Sequence, residues 1–247
     1  SADKLSITNA SIDSETEFFL EINLENSSLI SAMQFDIDLD MTKFKLVDGS
    51  ELNTSRIDGH EFSVSEMTDS KLRVIIFSSE NKNLVTGTGK LFSLKLKSKT
   101  EPGTYSVNFS GMVASDSSGE SVTLESQSGN ITINAPKMVI YTSSLNFDRV
   151  PLGLTKNMSF TVNNQGNKDL TITGLKESIS PFEMTTDLPV TISAGSSKSF
   201  EVKFESTTKG TYSSTLQFNS NEPHPTRAIH KISLSAISFA VNELRVG

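Results

Sequence analysis

Apolar and polar residues alternate with a period of two along most of this chain. In Phe18–Glu25, the residues Phe18, Leu20, Ile22 and Leu24 share one face, and Phe19, Glu21, Asn23 and Glu25 share the other. In Ser31–Asp40, Met33, Phe35, Ile37 and Leu39 point one way; Ala32, Gln34, Asp36 and Asp38 point the other. Successive side chains of a strand project to opposite faces, so this pattern predicts half-buried strands. The run Leu72–Phe77 is apolar on both faces apart from Arg73, which predicts a strand covered on each side. Further strands are predicted at Lys90–Lys97, Tyr105–Phe109 and Ile131–Ile133. Between the runs lie Asp48-Gly49-Ser50, Asp58-Gly59, Gly87-Thr88-Gly89, Glu101-Pro102-Gly103 and Asp116-Ser117-Ser118-Gly119. Such clusters suit turns, because Gly accepts positive φ and Asp or Ser bonds the local backbone. No stretch sustains a helical period with caps; at most, helical turns fit near Met41–Phe44 or Ile179–Phe182.

The pattern breaks at Asn134-Ala135-Pro136-Lys137, where Pro holds itself and its predecessor extended. It then restarts through Phe160 and Val162, Leu170 and Ile172, Phe200, Val202 and Phe204, Leu216 and Phe218, and Ile232 and Leu234. Three segments are therefore expected: a domain at 1–134, a second at 135–237, and at 238–247 the start of a following module. The fold class is all-β, two tandem antiparallel β-sandwiches. Met33, Phe35, Ile37, Leu39, Val74 and Phe92 are expected in the first core. Phe147, Phe160, Val162, Phe200, Phe204 and Phe218 are expected in the second. Gly103-Thr104-Tyr105 and Gly210-Thr211-Tyr212 echo one another, each opening a late strand as in the Tyr-bearing corner of immunoglobulin-like sandwiches.

Composition narrows the function classes. The 247 residues carry a formal net charge of −7, which repels phosphate backbones, so no nucleic-acid partner is expected. No apolar run approaches the roughly 18 residues of a membrane-spanning helix. There is no cysteine, which removes disulfides, thiol catalysis and thiolate metal sites. The three histidines, His60, His224 and His230, are scattered across both domains, so no catalytic set forms and no enzyme is expected. Asp36, Asp38 and Asp40 share a strand face, read as a solvated acidic face, with an acid/base pair or calcium ligands as the alternative. The loop Asp116-Ser117-Ser118-Gly119-Glu120 is oxygen-rich but lacks EF-hand spacing. No cofactor and no metal are expected. For glycans, the chain has no Trp, and Phe19 is the exposed aromatic candidate.

Two family resemblances follow from longer stretches. "LISAMQFDIDLD" (29–40), "KLRVIIFSSENK" (71–82), "GTGKLFSLKLKSK" (87–99), "GTYSVNFSGMVASDSSGESV" (103–122) and "GNITI" (129–133) resemble a cohesin domain with jelly-roll character. "LNFDRVPLG" (145–153), "SFTVNNQGNKDLTITGL" (159–175), "VTISAGSSKSFEVKF" (190–204), "KGTYSSTLQFNSNEP" (209–223) and "HKISLSA" (230–236) resemble a seven-stranded ASPM/SPD-2/Hydin-type immunoglobulin-like repeat. The pairing implies a non-catalytic, multimodular bacterial protein that is extracellular or on the cell surface. The cohesin resemblance implies binding of a helical dockerin-like module, or another surface protein, across one sheet face. By position that face carries Ala32, Gln34, Ser63, Met67, Ile76 and Ser78. Ala32, Gln34 and Ser63 stand where the family's acidic and amide anchors are expected, and Ser117 and Ser118 replace an apolar anchor. The second domain is expected to be a spacer. The alternative function is a carbohydrate-binding accessory module of a polysaccharide-degrading system, with a glycan as partner.

Overall fold

The computed structural model describes residues 2–223 and 230–241. His224 and residues 242–247 of the expected following module lie outside them. The alternating runs form strands, and no α-helix occurs among the described residues. The chain divides into two units between Asn134 and Ala135.

The first unit contains β1 (Asp3–Ile7), β2 (Ala10–Asp13), β3 (Glu17–Asn26), β4 (Ala32–Asp38), β5 (Phe44–Leu46), β6 (Glu51–Leu52), β7 (Glu61–Thr68), β8 (Lys71–Phe77), β9 (Gly87–Ser98), β10 (Gly103–Ser115), β11 (Leu124–Gln127) and β12 (Gly129–Asn134). One sheet runs β11-β1-β3-β9-β5, with β6 also on β9; the other runs β2-β12-β10-β4-β8-β7. Most ladders are antiparallel, but β1 runs parallel to β11 and β2 to β12. Leu20, Leu24, Phe92 and Leu94 of the first sheet meet Met33, Phe35, Ile37 and Val74 of the second in one buried core. Phe35 and Phe92 stack across the two layers with ring centroids 6.2 Å apart. All six residues expected in this core are buried.

A bulge in β10 decides which of its residues reach the core. The register with β4 shifts between Ser110 and Val113, and Gly111 takes φ +56°. Before the bulge, odd-numbered Val107 and Phe109 pack inward; after it, even-numbered Met112 and Ala114 do so. Inserting one residue flips the faces of everything beyond it. Val113 therefore stands outward, 61% exposed.

The second unit contains β13 (Met138–Val139), β14 (Ser144–Pro151), β15 (Thr155–Asn164), β16 (Leu170–Leu175), β17 (Phe182–Met184), β18 (Val190–Ile192), β19 (Ser197–Glu205), β20 (Gly210–Leu216), β21 (Phe218–Ser220) and β22 (Ile232–Phe239). They form sheets ordered β13-β15-β19-β17, β14-β22-β20 and β18-β16-β21. The strand after Gly210 changes sheets at Gln217: β20 pairs with β22, and β21 pairs with β16. Phe147, Phe160, Val162, Phe200 and Phe204 are buried, and half-buried Phe218 packs on Phe160 and Phe200. Both Gly-Thr-Tyr corners close identically. Tyr105 Oη donates to the Glu101 carbonyl at 2.9 Å, and Tyr212 Oη to the Thr208 carbonyl at 2.7 Å.

Candidate functional site

The open face of the β10-β4-β8-β7 region is organised in rows set by the registers. Val113, Gln34, Ile75 and Ser63 form one row, and Ser115, Ala32, Phe77 and Glu61 the next. Directly paired residues project to the same side of a sheet, so each row is a continuous strip of surface. Ala32, Gln34, Ile75, Phe77, Val113 and Ser115 line a shallow groove of about 200 Å³. Phe77 is 40% exposed there, while Gln34 and Ile75 are half-buried. The groove is apolar, with the Gln34 amide at its centre as a hydrogen-bonding group.

Beside the groove lies a charged strip. Asp36 pairs with Arg73, and Asp38 with Lys71, on adjacent β4 and β8. Arg73 donates to Asp36 twice, from Nε at 2.8 Å to Oδ1 and from its terminal nitrogen at 3.1 Å to Oδ2. Lys71 Nζ lies 3.3 Å from Asp36 Oδ2 and 3.1 Å from Asp38 Oδ1. The Arg73 hydrogen bonds outweigh burial and, with Lys71, hold the Asp36 carboxyl below the usual range. Asp36 is itself buried, so the solvated acidic face expected from the alternation is instead a closed ion-pair network. Asp40 turns away to accept the backbone NH of Thr42 at 3.0 Å.

The site residues expected from sequence divide into three groups. Ala32, Gln34 and Ser63 lie on the open face. Met67 is 49% exposed, but it sits where the β7–β8 register skips a residue, off the rows. Ile76 and Ser78 require correction. Ile76 has no exposed surface, because it pairs with Met33 on the inner face and lies two residues from buried Val74. The outward neighbours are Ile75 and Phe77. Ser78 lies beyond β8: its hydroxyl accepts the backbone NH of Lys82 at 3.0 Å and donates to the Gly59 carbonyl at 3.2 Å. It shapes a loop and not the sheet face. Sequence reasoning missed Ile75, Phe77 and Val113. Parity with Val74 marks the first two, but only the β10 bulge exposes the third.

The other candidates are local structure. Asp116 accepts from the Ser118 hydroxyl at 2.7 Å and from the Glu120 NH at 3.0 Å, which makes it a turn residue. His60 Nδ1 lies 2.9 Å from the Asp58 carbonyl, and His230 Nε2 lies 3.9 Å from Glu222. Phe19 is 42% exposed on the other sheet, with the Lys95 ammonium 6.0 Å from its ring centre. Among the described residues, no three or more His, Cys, Asp or Glu side chains gather as a metal site. No helix among them is long and apolar enough to cross a membrane.

A sandwich with an open, partly apolar sheet face has the form of a protein-binding module. Comparison with known proteins makes this specific. The chain belongs to the cohesin family, whose domain profile matches residues 4–135. Residues 136–234 match the HYDIN/CFA65/VesB-like, Ig-like domain. No curated protein matches the chain. Among solved structures, it is similar to a non-cellulosomal cohesin from Archaeoglobus fulgidus. That match has 16% identity and a TM-score of 0.47, covering 54% of this chain and 91% of that one. It is also similar to the sixth cohesin of Acetivibrio cellulolyticus scaffoldin B, solved with a Cel5 dockerin mutant. Identity there is 20% and the TM-score 0.48, over 54% of this chain and 100% of that one. CaCohA2 from Clostridium acetobutylicum matches at 19% identity and a TM-score of 0.47, covering 53% and 90% of the two chains.

Proposed function

We propose that the first unit binds a dockerin-like helical module through the face carrying Ala32, Gln34, Ser63, Ile75, Phe77 and Val113. The observation that carries this reading is the uncovered apolar groove: Phe77 and Val113 are 40% and 61% exposed on adjacent rows of a sheet, with Gln34 between. Exposed apolar surface framed by polar groups is the usual form of a docking site. Family membership supplies the class of partner. The second unit is a spacer, and the whole is a non-catalytic scaffold segment of an exported bacterial protein, extracellular or at the cell surface.

The test is surface-plasmon resonance of the full chain against dockerin modules encoded in the same genome. Phe77→Asp and Val113→Asp both point away from the core, so each variant is expected to keep its fold. Each is expected to weaken binding at least tenfold, since central apolar contacts dominate such interfaces. Undiminished binding by the folded double variant would exclude this face. Failure of every dockerin to bind would refute the dockerin assignment.

A further inference from the structure

The outer face of the β11-β1-β3-β9-β5 sheet, on the far side of the sandwich from the groove, gathers lysines. Lys45 of β5 pairs directly with Lys97 of β9, and Lys97 with Glu17 of β3. The ladder continues past the start of β5, where the Lys99 NH donates to the Lys43 carbonyl at 2.9 Å. Phe44, Leu94, Leu96 and Ser98 are buried, so by parity Lys43, Lys45, Lys95, Lys97 and Lys99 stand on the outer side. Residues two apart on a strand are about 7 Å apart and neighbouring strands about 4.8 Å, so the five side chains rise from a strip roughly 14 Å long and two strands wide.

Glu17 answers one of these charges, with its Oε2 3.1 Å from Lys95 Nζ. Lys99 Nζ donates to the Met41 carbonyl at 3.2 Å, a neutral acceptor. Among the described residues, Lys43, Lys45, Lys97 and Lys99 have no carboxylate partner. Lys45 and Lys97 are both exposed. Like charges directly opposite on a ladder repel, and an anion held between them would remove that repulsion. The chain as a whole carries −7, so the strip is a local reversal of sign. An aromatic ring borders it. Phe19 pairs with Lys95, is 42% exposed, and has Lys95 Nζ 6.0 Å from its ring centre. Phe18 fills the core beneath, so the Phe19 ring is left to the surface.

We propose that this strip binds a linear acidic polysaccharide, with sugar carboxylates against Lys45 and Lys97 and a pyranose C–H face against Phe19. Charge complementarity selects an anion, and a flat sheet surface suits an extended chain. Lysine supplies every charge; its ammonium is a point charge without the planar fork that arginine offers to phosphate. An acidic peptide would use the lysines and leave the ring idle. Nucleic acid is opposed by the net charge of the chain. This inference is independent of what the groove binds.

The experiment is surface-plasmon resonance of the full chain over immobilised polygalacturonate, with neutral dextran, poly-L-glutamate and duplex DNA as parallel surfaces. Binding to polygalacturonate and not to dextran is expected. It should disappear as NaCl rises from about 0.01 M to about 1 M, over which the screening length falls from roughly 30 Å to 3 Å. The double variant Lys45→Gln, Lys97→Gln changes only exposed side chains and is expected to bind roughly tenfold more weakly, the loss of two ordinary exposed ion pairs. Phe19→Ala should weaken polygalacturonate binding severalfold and leave any poly-L-glutamate binding unchanged. No binding to polygalacturonate at the lowest salt would overturn the proposal, as would undiminished binding by the folded double variant. Equal binding to poly-L-glutamate or DNA, with Phe19→Ala without effect on any surface, would overturn the assignment to a polysaccharide.

Discussion

Ile75 and Ile76 are the same amino acid in consecutive positions of one strand, yet one is core and the other is surface. Neither composition nor β propensity separates them; parity with core Val74, and the pairing of Ile76 with Met33 and of Ile75 with Gln34, do. Asp36 makes a related point, since its sequence neighbours suggest a solvated carboxylate and its partners come from β8. Its depressed pKa has a defined consequence for stability. The ion-pair stabilisation is present in full above the ordinary aspartate range near 4, and is lost as the pH falls through the lower folded value. Asp36→Asn is therefore expected to lower first-unit stability by about 1–3 kcal/mol at pH 7, because Arg73 and Lys71 lose hydrogen bonds to a charged group. Urea unfolding at pH 7 and again below pH 3 should show this gap closing in acid. A gap of constant size would mean that Asp36 titrates normally.

At the scale of elements, two glycines act by different mechanisms. Gly111 sits in the left-handed region within the β10 bulge, and an added Cβ would meet Asp36 Oδ2 at an ordinary 3.4 Å. Gly111→Ala should therefore cost about 1–2 kcal/mol through backbone strain alone. Gly166 has unexceptional φ, but a Cβ there would lie 2.2 Å from the Ala135 carbonyl. That segment is held by the buried Asn164 side chain, which accepts from the NH of Lys137 and Gly166 and donates to the carbonyls of Lys168 and Ile192. Gly166→Ala must displace it, at about 1–3 kcal/mol, as in overpacked sites. Chemical denaturation of the two variants should show the first loss in the first unit and the second in the second.

At the scale of the molecule, each unit has its own closed core. The first centres on Phe35 and Phe92, the second on Phe160, Phe200 and Phe204. Phe35→Ala and Phe160→Ala should each cost roughly 3–5 kcal/mol, because each leaves a cavity among fully packed rings. In scanning calorimetry, each substitution is expected to lower a different transition. A single transition shifted equally by both would show that the units unfold as one.

Period-two alternation was enough to determine the all-β class and the core residues from Met33 to Leu39. These depend on local parity, which each strand carries in its own residues. The longer stretches of similarity were enough to identify the cohesin and immunoglobulin-like families. The composition of the open face was decided by tertiary structure. Val113 reaches that face only because a bulge at Ser110–Gly111 reverses the parity of β10. Ser78 leaves it because its hydroxyl closes a loop onto Gly59. Asp36 is neutralised by residues 35 and 37 positions later in the chain. Asp3 is likewise buried where β1 meets the turn after β3, accepting the backbone NH of Ser27. Contacts between distant strands depend on register and chain crossing, and no window of sequence contains them.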